Sequence, residues 1–181
     1  MGKKLYFDKS YVIFMSFLLL IICNTQAQVN ITASSGVTSG SFTTLKGAFD
    51  AINSGTHTGT LTVTISANTT ETASAVLNAS GDGNASYSSI NIYPTVSGLS
   101  ISGNLSLPLI DLNGADNATI DGRVNASGST INLTIINTNA TNVSSTIRFI
   151  NDASTDTVKY CELKGAPTQT SSITPVSGII N

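Results

Sequence analysis

Apolar residues in this chain recur in short alternating bursts, and only once at helical spacing. The exception is TTLKGAFDAINSG, where Leu45, Ala48, Phe49 and Ile52 fall at i, i+3, i+4 and i+7. That spacing predicts a helix of about three turns with a single apolar stripe. Thr43 or Thr44 can cap its start, and Gly55 can end it in left-handed geometry. Gly47 in its middle costs about 1 kcal/mol relative to Ala, so the helix is expected to depend on docking. Only a short strand-like segment, VNITAS, precedes it.

Every later burst has period two. LTVTIS (61–66) puts Leu61, Val63 and Ile65 on one face, SINIY (89–93) does so with Ile90 and Ile92, and LSIS (99–102) with Leu99 and Ile101. LIDLN offers Ile110 and Leu112, ATID offers Ala118 and Ile120, and INLTIIN offers Ile131, Leu133 and Ile135. TIRFIN supplies Ile147 and Phe149, and TVKYCEL supplies Val158, then Cys161 and Leu163 after a bend at Tyr160. Bursts this short, bounded by Gly, Asn, Asp and Ser, predict strands.

The bursts also repeat. LIDLNGADNATIDG can be laid on TIRFINDASTDTVKYCELKG, with Ile110 over Ile147 and Leu112 over Phe149. A third copy opens at SGIIN, where Ile179 takes the same place, so the spacings are 37 and 32 residues. Periods in that range signal a solenoid. The expected fold is all-β: a right-handed parallel β-helix whose inward residues stack into one apolar column. The helix at 44–53 is expected to plug its amino-terminal end, because a bare solenoid end exposes a strand edge and an open core. Asn113 and Asn151 are candidates for a ladder of stacked amides at equivalent bends. The chain stops at VSGIIN, just as a strand begins, so a fragment of a longer polypeptide is the expectation.

Composition agrees with strands and excludes several functions. More than a third of the residues are Ser, Thr or Asn, and only 10% are charged. Such polarity could mean disorder, but disordered chains are poor in the β-branched residues that recur here. Residues 1–27 have the layout of a signal peptide: Lys3, Lys4 and Lys9, an apolar run from Val12 to Ile22, then NTQA. Thr25 and Ala27 fit the cleavage positions, so the mature chain is expected to begin at Gln28 and to be secreted or held on the outer cell surface. The apolar run is about a dozen residues, short of the roughly 20 that span a bilayer, so no stable membrane span is expected. Cys23 suggests a lipoprotein, but Ile22 before it is not the small residue such a site takes.

Without the leader, five basic residues face nine acids, a net charge of about −4. With no basic cluster, a nucleic-acid partner is excluded. Cys161 is then the only cysteine, so no intrachain disulfide can form. The organisation read from the chain is a leader at 1–27, a strand and cap helix at 28–60, and coils from 61 to 181.

At TTLKGAFDAIN, TGTLTVTIS with ETASAVLNASG, LIDLNGADNATIDG and STIRFINDAST, the chain resembles a known group. It is similar to the amino-terminal part of large secreted bacterial surface proteins with a pectate lyase-like right-handed β-helix. The resemblance implies export through the Sec and type IX routes, in proteins that carry adhesive modules and a sorting domain absent from these 181 residues. It also implies O-glycosylation at Asp-(Ser/Thr)-small/apolar triplets, which Asp156-Thr157-Val158 matches at Thr157.

Chemistry centres on three aspartates, Asp111, Asp116 and Asp121. The resemblance permits a carbohydrate-active reading, in which carboxylates hold Ca²⁺ and a basic residue takes a proton from a uronate. Arg148 falls beside Asp111 one coil on, so the two could form such a fragment. The plainer reading is an ion pair on a solvated face, worth at most about 1 kcal/mol. Asp116 and Asp121 sit in turn-like contexts, where Asp bonds local backbone. Nothing nearby supplies the six to eight oxygens that Ca²⁺ collects. His57, the only histidine, reads as an exposed loop residue, GDGNAS (81–86) as a hairpin-like turn, and Cys161 as a small core residue. Ten N-x-S/T triplets arise by chance in so Asn-rich a chain and would matter only in a eukaryotic secretory route.

No catalytic, cofactor-binding or metal-ligating residue is therefore assigned, and no cofactor is expected. The expected function is a non-catalytic cell-surface scaffold or adhesin, with extracellular polysaccharide as a candidate partner. The alternative is the amino-terminal part of a polysaccharide lyase or glycoside hydrolase whose active site lies in further coils.

Overall fold

The computed structural model describes residues 27–141, 143–166 and 178–180. The leader at 1–26 lies outside the described residues. Among the described residues fourteen strands and one α-helix follow one another as β1 (Val29–Gly36), β2 (Ser39–Phe42), α1 (Leu45–Asn53), β3 (His57–Ile65), β4 (Thr69–Glu71) and β5 (Ala75–Asn78). Next come β6 (Tyr87–Pro94), β7 (Leu99–Gly103), β8 (Ile110–Asn113), β9 (Ala118–Asp121), β10 (Leu133–Asn137) and β11 (Ser145–Ile150). The series ends with β12 (Thr157–Lys159), β13 (Cys161–Gly165) and β14 (Gly178–Ile180).

Every third strand from β3 onward lies beside its predecessor. The first sheet runs β12-β9-β6-β3-β1-β2, the second β13-β10-β7-β4, and the third β14-β11-β8-β5. Each coil therefore contributes one strand to each of three sheets, and from β3 on all the pairings are parallel. The chain is a parallel β-solenoid of about three turns. Ile147 stands in register with Ile110, and Phe149 with Leu112, as the repeat predicts. The third copy is displaced by one residue: Ile180, not Ile179, pairs with Ile147.

The apolar columns follow from this register. In the first sheet Val63, Ile92, Ile120 and Val158 stack; in the second, Ile101, Ile135 and Leu163; in the third, Ala75, Ile110 and Ile147. Through the middle coils the column members are fully buried. Each Leu or Ile so enclosed contributes about 1.5–3 kcal/mol. Ile131 is a correction: it lies before β10 and is 54% exposed, because the chain enters the sheet only at Leu133.

Asparagines at the bends after β5, β8 and β11 join the coils along the axis. Asn151 Nδ2 donates to Asn113 Oδ1 at 2.6 Å, and Asn113 Nδ2 donates to Asn78 Oδ1 at 3.0 Å. The Asn78 backbone N–H in turn donates to Asn53 Oδ1 on α1, so the ladder is anchored on the helix. Asn151 adopts φ +55°, a left-handed conformation that Asn tolerates better than most residues.

The amino-terminal end is closed by two devices. β1 and β2 continue the first sheet as an antiparallel hairpin, which pairs the outer edge of β3. α1 lies chiefly against β5, and its four apolar residues are fully buried. Thr44 caps α1 by accepting from the Gly47 N–H, and Gly55 follows it at φ +74°. A feature invisible in the pattern fixes α1 to the coils. Buried Glu71 of β4 accepts the N–H of Leu45 at 2.9 Å and of Lys46 at 3.0 Å, one on each carboxylate oxygen. A carboxylate there satisfies two free donors and complements the helix dipole.

His57 is a second correction. It opens β3 and is 2% exposed, covered by the hairpin. Its Nδ1–H donates to the Val37 carbonyl at 2.5 Å, and its ring meets Phe42 edge-on at 5.9 Å. The GDGNAS segment turns the chain from β5 to β6, which belong to different sheets, so it makes a bend and no hairpin.

Candidate functional site

Three of the acids singled out from sequence sit close to coil bends, and each is engaged. Asp111 and Arg148 occupy matching positions on β8 and β11. Arg148 Nε donates to Asp111 Oδ1 at 3.0 Å and Nη2 to Oδ2 at 2.6 Å. The pair is less solvated than expected, since Asp111 is buried while Arg148 stays partly exposed. Such a two-pronged bond raises the Arg148 guanidinium still further above its ordinary value, the reverse of what a proton-abstracting base needs.

Asp121 makes the local backbone bond expected of it, its Oδ1 accepting the Arg123 N–H at 3.1 Å, and it is held by charge as well. It ends β9 with a buried carboxylate, which accepts from Arg123 Nε at 2.9 Å and Nη2 at 2.6 Å, with Lys159 Nζ at 3.5 Å. The hydrogen bonds from Arg123 hold this carboxyl below the usual range. Arg123 also lies over the Tyr160 ring, its Cζ 4.4 Å from the centroid. Gly122 lets the bends approach there, because a Cβ on it would overlap the Tyr160 carbonyl. Asp116 does bond backbone, but across coils: its Oδ1 accepts from Ser154 N at 3.1 Å and Ser154 Oγ at 2.5 Å.

Asp156 is a titratable group the pattern did not flag. Its Oδ1 accepts the Ala118 N–H at 2.8 Å, while its buried Oδ2 has no partner. Burial, and then the nearby Asp116 charge, push its pKa up. Burial likewise lifts Tyr87 to about 12, with its hydroxyl donating to the Asn78 carbonyl at 2.5 Å. Cys161 packs in register with Leu133, and burial raises its thiol to about 12, far from a reactive thiolate. Among the described residues no group of three or more His, Cys, Asp or Glu side chains is placed to hold a metal ion. A shallow cavity of about 200 Å³ lies between the bends after β4 and β7, lined by Thr72, Ala73, Ser74, Leu105, Ser106 and Leu107. It carries hydroxyls and leucines and no group that titrates near neutral pH.

The outer faces of the three sheets differ. On the second, most hydroxyls other than that of Ser100 are engaged within the chain: Thr70 meets Ser102 at 3.4 Å, Ser102 donates to the Thr69 carbonyl, and Thr134 donates to Glu162, itself paired with Lys164. On the third, the Asp111–Arg148 pair and the amide ladder occupy the surface. The first sheet carries a central row of Thr32, Thr62, Asn91, Thr119 and Thr157, in register from β1 to β12. These five side chains make no hydrogen bond among the described residues, whereas flanking Thr64 and Thr60 bond to the Asn30 carbonyl and to Ser88. Only the register exposes this row; a Thr-rich sequence alone does not separate free hydroxyls from used ones.

The fold and faces define a parallel β-solenoid with polar outer walls. Comparison with protein-family models, curated proteins and solved structures finds no match to this chain. Among the described residues no helix is long and apolar enough to cross a membrane.

Proposed function

We propose that this chain is an exported, non-catalytic β-solenoid that serves as a cell-surface scaffold or adhesin and binds carbohydrate. One contrast supports the reading above all. Each acid that could have worked on a sugar is held by an ion pair or by backbone, while the outer wall offers ordered hydroxyls and amides. The work would be geometric: stacked coils hold polar groups at fixed spacing on a stiff support. Export by the leader, with cleavage after Ala27, belongs to the same proposal. β1 begins at Val29, so that cut leaves every described strand whole.

The test uses the full chain expressed in an exporting bacterium. Amino-terminal sequencing of the extracellular or surface fraction is expected to begin at Gln28. Incubation with pectin and alginate is expected to release no unsaturated ends, while the protein sediments with a polysaccharide. Appearance of unsaturated ends would replace the scaffold by the lyase alternative.

A further inference from the structure

Building on the carbohydrate-binding proposal, we infer that the row Thr32–Thr62–Asn91–Thr119–Thr157 on the first sheet is the binding face, and that its ligand is an uncharged polysaccharide lying along the solenoid axis. Three observations carry this. The row's five polar side chains are all unclaimed among the described residues, whereas most of those on the second and third sheets are engaged. Four of its five members are Thr, whose β-branched side chain is stiff about χ1, so little rotamer freedom remains to be lost on binding. Consecutive members sit on hydrogen-bonded strands roughly 4.8 Å apart, which makes a straight row of about 19 Å.

Charge selects the class of ligand. Rows flanking this one are Ser, Thr, Asn and Tyr over β1, β3 and β6, and Tyr93 stands partly exposed two residues beyond Asn91. The nearest charges are gathered at the β9–β12 end: Asp121, Arg123 and Lys159 are paired with one another, and Asp156, beside Thr157, is an acid bonded to the Ala118 N–H. An anionic polymer would find no cation free along most of the row. A neutral one meets donors and acceptors that bear no charge to desolvate, together with a tyrosine whose apolar ring suits a sugar face.

The experiment is co-sedimentation of the full chain with insoluble neutral glycans (amorphous cellulose, chitin and a β-1,3-glucan), with polygalacturonate and alginate as soluble competitors. Thr62→Val with Thr119→Val removes two hydroxyls while keeping strand propensity. Thr70→Val with Thr134→Val is the matched change on the second sheet, and Asn91→Asp, which adds a charge, is an independent probe of the row. The row variants are expected to bind about tenfold more weakly than wild type, the second-sheet variant within about twofold, and the anionic competitors to have no effect. Equal binding by wild type and both row variants would overturn the face while leaving carbohydrate binding intact. Displacement by the anionic polymers would overturn the ligand class. Failure of the wild type to sediment with any of the neutral glycans would remove this inference and the proposal beneath it together.

Discussion

The two ends of the described solenoid use the same rung and reach different degrees of enclosure. At the amino-terminal end α1 and the β1–β2 hairpin cover the first coil, and Phe49, Ile52, Ala75 and Leu77 are fully buried. In β12 and β13 the equivalent inward residues, Val158, Cys161 and Leu163, are only partly buried, and Tyr160 is 42% exposed. Parallel strands in register do not by themselves make a core. A coil is sealed by what lies on both its sides, and stability in such a stack is a sum over neighbours.

The largest effect expected from breaking this contrast is at Phe49. Phe49→Asp puts a charge where the plug meets the first coil and should cost about 4 kcal/mol or more, giving an aggregated or unfolded product by size-exclusion chromatography. A soluble, unchanged monomer would show that α1 seals nothing. Next comes Glu71→Ala, which strips two charge-assisted bonds from the start of α1 and leaves those N–H groups without a partner. A loss of about 2–4 kcal/mol in urea denaturation is expected, with Glu71→Gln intermediate. At the other end Leu163→Ala should cost less than about 1.5 kcal/mol, below the usual range for a sealed core leucine, because its pocket is already half open.

The smallest and most pH-sensitive contrast is between two carboxylates. Asp121, held below the usual range by Arg123, adds stability above about pH 3.8 that is lost as the pH falls through its lowered pKa. Asp156 has the opposite sign, because its raised pKa favours the neutral acid. That contribution is complete below about pH 3.8 and is lost as the pH rises through the folded value. Asp156→Asn, which keeps the acceptor for Ala118, should therefore match wild type in acid and melt slightly higher at pH 7. Asp121→Asn should melt lower at pH 7, the gap closing in acid. Parallel melting curves for both variants at every pH would contradict both assignments.

What was legible in the sequence was whatever expresses itself as apolar alternation. Ile110 over Ile147 could be read because both strands carry aliphatics at inward positions. β4 could not, since its inward residues are Thr69 and Glu71, and Glu71 is buried only because α1 supplies its donors. β2 was equally silent: SGSF has no pattern, and without it nothing marks His57 as covered. Ile131 and Ile179 misled for a related reason. Alternation gives the face of a strand but not where it enters the sheet, and in SGIIN two adjacent isoleucines fit opposite faces. Of the candidate chemistry, the Asp111–Arg148 pair followed from the 37-residue repeat, whereas Lys159 comes beside Asp121 only because β9 and β12 pair at an offset of 38, one residue more than β8 and β11.

The stacking of coils is most directly tested by paired nitroxide labels on cysteines placed at Thr62 and Thr119, with Cys23 and Cys161 both replaced by Ala. The two sites are far apart in sequence but only two strand steps apart in the first sheet, roughly 10 Å between backbones. Strong dipolar broadening of the doubly labelled spectrum, absent from either single label, is the predicted result. A doubly labelled spectrum equal to the sum of the singles would contradict the solenoid.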